Sequence, residues 1–498
     1  LLMMVLLPCM LWGYGNNQTL EIINIKAPGT GSPAISQYNR IFRAYPGITY
    51  TVPVGVIGGA FPYTFSLSNT PSGMTINSKT GVITWINPQT SASDIVVTVY
   101  DKDGDYTTAT WSITVGTSGF LFVDDDAESG GDRTISSPYD AIDDVLALED
   151  EAEGSIVYFR AGSYAVPIHN PYRSSPGLYG CNLKDRAHVW IGYPSESVTL
   201  NMRGVNASYA GWFETHGAVG TAQEEVWFEN ITIQSPREWG FRHSVGGHYL
   251  TFYNITMDNL VGSDIASNCG GLFTQGYGDV YYTYIVDSSF TDFDLAHHIG
   301  SIYDSIRILI ERNILDDKTD LGSSMAIKHG CSYVTVRRNK FTNCVTALGH
   351  NNNGLWSECY YNEICYNYID SPTGRFNASG TDKGPTWQYR NTYTDTVEIS
   401  HLDYPDSCEG NWYWDNNVIQ NNYSATGGIY FNDYCSEDGD ECVTLTDNLI
   451  GVSGLVDESG LLVNRSYVGT YGWEIADDEY YGSSPSTPTI RSGGIRSG

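Results

Sequence analysis

Nine short strings recur along the chain: ENITI, YNITM, DSSF, RNIL, RNKF, YNYI, RNTY, NNVI and DNLI. Each places Asn230, Asn254, Ser288, Asn313, Asn339, Asn367, Asn391, Asn417 or Asn448 just ahead of a strand-like run, at spacings of 24, 34, 25, 26, 28, 24, 26 and 31 residues. A period near 25 with variable insertions is the signature of a solenoid, in which each coil buries its apolar face only against its neighbours. Asparagine suits a tight corner because it tolerates the left-handed backbone conformation. With coils ~4.8 Å apart, each side-chain amide can also bond to the next and form a ladder. The repeat therefore predicts an all-β chain whose main body, residues 117–465, is a right-handed parallel β-helix of about ten coils.

The chain ahead of the repeat has a different pattern. In residues 41–116, strand-like runs alternate with turn clusters, and DIVVTVYDKDGDYTTATWSITV reads as a hairpin turning at Asp-Gly. The stretch PSGMTINSKTGVITW resembles the immunoglobulin-like, cadherin-like modules of secreted bacterial enzymes and adhesins. That resemblance implies a β-sandwich acting as a spacer or a carbohydrate-facing accessory. DKDGD is read as a solvated hairpin tip or as a calcium loop. Residues 119–164 then predict a short helix capped by Ser137, with Ile142, Val145, Leu146 and Leu148 on its apolar face, and a return to strand in SIVYFRAGSY. This order resembles the opening of secreted parallel β-helix proteins, where such a helix caps the first coil.

The termini and bulk charge narrow the function. LLMMVLLPCMLWG, an apolar run too short for a bilayer span, is read over residues 1–13 as the remnant of a secretion signal. Residues 466–498, rich in Ser, Pro and Gly, are read as a flexible tail. The expected location is extracellular, secreted or at the cell surface, with no membrane span. The formal net charge of −31 repels nucleic acid and anionic lipid. No C-x-x-C pair appears, which argues against zinc. Among the ten cysteines, Cys435 and Cys442 are the expected disulfide, and Cys331 and Cys359 are expected as buried thiols on adjacent coils.

Stacking the segments that follow each corner gathers seven of the ten histidines into one window. The polar groups there are His216, Arg242 with His243, Gln275, His297 with His298, Lys328 with His329, His350 and His401. In this reading His298, Lys328 and His350 stand on three consecutive coils of one outward stripe. Lys328 is the candidate base and His350 or His298 the acid, while Arg242, His243, Gln275, His329 and Asn351 are candidates for holding a sugar.

The segment SSMAIKHGCSYVTVRRNKFTN resembles the central coils of alginate- and chondroitin-cleaving β-helix polysaccharide lyases. The resemblance implies β-elimination on a uronic-acid polymer. A lysine at the position of Lys328 is the base, an arginine on the next coil is the acid, and calcium held by acidic residues neutralises the substrate carboxylate. This sequence reads ALGHNNN where the arginine belongs, so His350 takes that place. DDKTD offers Asp316, Asp317 and Asp320 either as calcium ligands or as an exposed turn. Two other classes fit the same sequence. A β-helix glycoside hydrolase would use paired acids such as Asp292 and Asp294. A non-catalytic glycan-binding adhesin or fibre protein would use Trp356, Trp387 and Trp412 as stacking platforms.

Overall fold

The computed structural model describes residues 18–148, 154–167, 181–183, 188–202, 213–215, 225–234, 239–243, 247–260, 270–293, 297–328, 330–352, 361–370, 375–380, 386–389, 391–393 and 397–401, and short strands between 417 and 496. Residues 18–116 hold a β-sandwich. One sheet runs Arg43–Ala44, Tyr106–Val115, Ala92–Tyr100, Thr64–Ser68, and the other Tyr50–Pro53, Val82–Trp85, Met74–Ile76. Alternating side chains fill it, with Val52, Ile83, Trp85, Val97, Val99 and Trp111 all buried. The DKDGD turn is built by Asp101, whose carboxylate accepts from the backbone N–H of Asp103, Asp105 and Ala60.

From Phe120 onward thirty-two strands join in one continuous network. The chain winds through three stacked parallel sheets. The first starts with Phe120–Val123, Ile156–Phe159, His188–Gly192 and Val226–Glu229. The second starts with Gly162–Ala165 and Val198–Asn201, the third with Cys181–Leu183 and Phe213–Thr215. This is a parallel β-helix, right-handed as parallel crossovers are. Leu121, Trp190, Phe228, Phe252, Ile310, Val336 and Ile364 line its interior. The capping helix is Ile142–Ala147; Ala141 precedes it with no side-chain cap. Ser137 instead closes a turn with Asp132 and Thr134, so the helix starts later than its sequence suggested. Ile142, Val145 and Leu146 do face the core. Strands Glu474–Ala476 and Glu479–Tyr480 extend the stack beyond residue 465. No helix among the described residues is long and apolar enough to cross a membrane.

The asparagine ladder exists, one residue out of the expected alignment at its start. Asn313, Asn339, Asn367 and Asn391 are buried and stacked. The Asn339 Oδ1 accepts from the backbone N–H and Nδ2 of Asn313 at 2.9 and 3.0 Å, and its Nδ2 donates to Ile310 O and to Asn367 Oδ1. Ser288 joins the stack through Asn313 Oδ1 and accepts from Ile255 N–H. Thr256 pairs with Ser289, so Ile255 and Ile231 hold the ladder position on the earlier coils. Asn230 and Asn254 are instead the left-handed corner residues, at φ 56° and 53°, followed in that column by Asp287, Arg312, Arg338 and Tyr366. Asn417 lies inside a first-sheet strand, opposite Val443, and is not a ladder residue; Asn448 lies outside the described residues. Replacing Asn339 by Leu strips several buried backbone and amide groups of partners at ~1–3 kcal/mol each. The expected result is a loss of about 3 kcal/mol of stability in urea denaturation.

The N-terminal module is no detached spacer. One apolar cluster runs without a break from its core onto the outer face of the first sheet, including Phe122, Tyr158, Ile191, Trp227, Tyr284 and Leu309. Buried polar contacts lock the seam. Arg337 bonds Glu311, Tyr63 OH and Val56 O. Glu225 accepts from Ser36 N–H at 2.5 Å and Asn39 Nδ2 at 2.7 Å, with His248 Nε2 at 3.6 Å. Burial pushes the Glu225 carboxyl up to about 7, against the pull of its Asn39 and Ser36 bonds. A carboxyl raised above its unfolded value of 4.5 binds more protons in the folded chain, so stability falls as pH rises between the two values. Glu225→Gln is expected to flatten that slope, worth on the order of 3 kcal/mol, in melts followed from pH 4.5 to 7.

Candidate functional site

The third sheet positions the candidate residues, and its register sorts them into columns. Within a strand, neighbouring positions alternate between the two faces. One column contains Thr215, His243, Thr274, Ile302, Ile327, His350, Ala378, His401 and Asp433 on successive coils. Ile327 is a fully buried core residue, so His350 and His243 share a register position with the interior. In the next column Gln275 pairs with Tyr303, and Lys328 with Asn351 and then Ser379; Tyr303 and Lys328 directly follow the paired Ile302 and Ile327, which makes this one column. The structure therefore brings Gln275, Lys328 and Asn351 together and sets His350 one position off from Lys328.

The offset has a local cause. Between Lys318 and Ser323 one coil spends five residues where the coil above, from Cys344 to Thr346, spends two. A count carried from the corner is thereby three residues out, and matching MAIK to ALGH as strings is one residue out. Tyr303 and Ser379 were not singled out from sequence. Tyr303 enters the column only through the pairing of Ile302 with Ile327, just before Lys328, across an irregular stretch that a list of strings does not show. Two positions before the Lys328 column, the same strands carry Ala326 and Gly349.

The other candidates are dispersed. His298 is fully buried, with Nε2 at 2.9 Å from the Asp316 backbone oxygen, so it does not stand on an outward stripe. Arg242 lies three coils before Lys328, at the register of Glu214 and Phe273. DDKTD is not a turn but part of the strand Ile314–Lys328. Asp316 stands there on the second sheet, and its Oδ1 is taken by Thr342 Oγ1 at 2.5 Å and Asn343 Nδ2 at 3.0 Å. It belongs to a column in which Asp258, Thr291, Asp316, Thr342 and Asp370 alternate. A carboxylate spent on holding two neighbouring side chains, on a different sheet from Lys328, does not fit a calcium site serving that lysine. Among the described residues the one set of three carboxylates close enough to share an ion is Asp124, Asp125 and Asp126. There Asp125 already accepts from Ser163 N–H. The side chains of Asp317 and Asp320, and all of His329, Cys435, Cys442, Cys359, Trp356, Trp412 and Asp294, lie outside the described residues. Cys331 is buried in the core, and Asp292 is an exposed corner at φ 58°. Trp387 stacks on Tyr361 at 6.4 Å and 20°, and Tyr361 on Tyr333, so one of its faces is already covered.

Residues 25–116 match the family described as Putative Ig domain. No curated protein matches the chain at a significant level. Among solved structures, the complex of XylC with xylose is similar over 75% of this chain and 85% of that one, at 8% identity and a TM-score of 0.42. An exopolygalacturonase from Thermotoga maritima is similar over 70% and 84%, at 12% identity and 0.34. Pectate lyase Pel9A is similar over 76% and 82%, at 11% and 0.26. The chain spans only 30% of the length of a putative alpha-galactosidase from Bacteroides fragilis that it also matches, at 14% identity and a TM-score of 0.16.

Proposed function

We propose that the chain is a carbohydrate-active enzyme, a polysaccharide lyase that cleaves a uronic-acid polymer by β-elimination at Lys328. The observation that carries this reading is the register column Gln275, Tyr303, Lys328, Asn351, Ser379, with the small residues Ala326 and Gly349 two positions earlier on the same strands. It puts residues carrying an amine, a phenol and amides on consecutive coils ~4.8 Å apart, the repeat of a linear glycan's sugar units.

In the reaction the neutral amine of Lys328 takes the C5 proton of the uronate. The electron pair moves to form the C4–C5 double bond, and the C4–O bond breaks. The leaving oxygen takes a proton from an acid. Tyr303 is assigned that role, because His350 falls at the register of a core residue and Tyr303 falls in the column of Lys328. Asn351 and Gln275 are assigned to the sugar carboxylate and hydroxyls, and Arg242, ~14 Å along the axis, to a more distant uronate of the same chain. No step is routed through calcium, since Asp316 does not fit as its ligand.

The test is direct. Alginate, polygalacturonate and chondroitin are each incubated with the full chain, and the ultraviolet absorbance of the unsaturated product is followed. Product from one of them is expected. If none yields product while reducing ends appear, the chemistry is hydrolytic; if neither appears, the chain only binds glycans.

A further inference from the structure

The four-stranded sheet of the N-terminal module turns one face to solvent, and its middle carries no charge. Three rows cross its strands: Thr64–Tyr100–Tyr106, Ser66–Thr98–Thr108 and Ser68–Val96–Thr110. Most of these residues are exposed, Tyr106 at 66% and Tyr100 at 45%. Charged groups appear only at the two ends, at Asp94 with Arg43, which pairs with Thr114, and in the turn 102–105. This neutral field is out of character for a chain of net charge −31, where a merely solvated face would carry its share of Asp and Glu. Arg43, at one end, bonds the Gly154 carbonyl, while the other docking residues, Asn39, Arg40, Val56 and Tyr63 among them, lie outside the three rows.

We propose that this face is a polysaccharide-binding site, with the sugar chain laid along the hydroxyl rows and one unit stacked on Tyr100 and Tyr106. Chemical complementarity selects the occupant. Nucleic acid needs a basic patch, and a protein partner needs a cluster of apolar or guanidinium anchors. A glycan presents hydroxyls and flat C–H faces, which match rows of Ser and Thr ending in amphipathic aromatic rings. The two tyrosine rings sit 5.6 Å apart and tilted by 37°, side by side as one aromatic platform. The strands set the width of the field: three of them at ~4.8 Å spacing give a track about 10 Å across. This site is independent of the Lys328 reading, because it needs binding and no turnover.

The experiment is affinity electrophoresis of the full chain through gels containing alginate, pectin, xylan or soluble cellulose. Retardation in at least one gel is expected. Tyr100→Ala combined with Tyr106→Ala should weaken it at least tenfold, and Thr98→Glu, which puts a charge mid-face, should do the same. Melting temperatures should stay within a degree or two of the parent's. The proposal is overturned if no gel retards the parent chain, or if the double variant migrates like the parent in the retarding gel. It is also overturned if the face variants change only the sedimentation coefficient, which would make this face a contact between copies of the chain.

Discussion

Lys328→Ala is expected to lower the rate of unsaturated-product formation by two to four orders of magnitude, the usual contribution of a positioned base. The melting temperature should not move, because Lys328 ends its strand and its column is not the one that holds the core residue Ile327. Lys328→Arg should not rescue the rate, since a guanidinium stays protonated and cannot accept a proton. Tyr303→Phe should cut the rate as well, while leaving KM nearly unchanged if the phenol acts only on the leaving oxygen. His350→Ala discriminates between the alternatives. If His350 were the acid, its loss would match that of Lys328. If its register with Ile327 governs, the variant should melt lower and keep most of its rate.

The largest stability effect is expected at Arg337. Its guanidinium is 1% exposed and bonds Glu311, Tyr63 OH and Val56 O across the seam between module and β-helix. Burial works against its charge, but Glu311 and the Tyr63 ring outweigh it and raise the Arg337 pKa. Burial likewise pushes the Glu311 carboxyl up, yet Arg337, Arg312 and Arg338 together hold it below the usual range. Arg337→Met leaves Glu311 buried with weaker partners, at an expected cost of about 3–5 kcal/mol. Adding Glu311→Leu should recover much of that loss, because the pair's own net worth is small beside the penalty of breaking it. The sign of the pH effect is fixed too. A carboxyl whose folded pKa is depressed stabilises above its unfolded value of 4.5, and that stability is lost as pH falls. The Arg337–Glu311 contribution should therefore vanish on acidification, the reverse of the trend at Glu225.

Fold and site were legible to different depths. The period near 25 and the alternation of apolar residues report local facts repeated coil after coil, and they sufficed for the β-helix and for Asn313, Asn339 and Asn367. The offset at Asn230 and Asn254 was readable only by counting back from the core. The ladder residue stands two before Phe290, Leu315 and Phe341, and the same count from Ile233 and Met257 lands on Ile231 and Ile255. Columns of the third sheet were harder, since a three-residue difference between neighbouring coils leaves no mark in a list of strings. Docking of the module was hidden for another reason. Tyr158, Trp227 and Tyr284 face outward on a solenoid, where sequence patterning alone reads bulky apolar residues as surplus, and only the module's presence explains them.

The amide stack has a consequence for how such a chain can change. Successive members lie 25, 26, 28 and 24 residues apart, yet each amide finds the next at hydrogen-bond distance. Strand register is renewed at every corner, so a loop lengthened on one coil does not propagate its error to the next. Insertions around the third sheet are thereby uncoupled from the stability of the body that carries them. A lineage built on this frame can lengthen the loops beside Lys328 and sample new substrates while the rest of the coil stays in step.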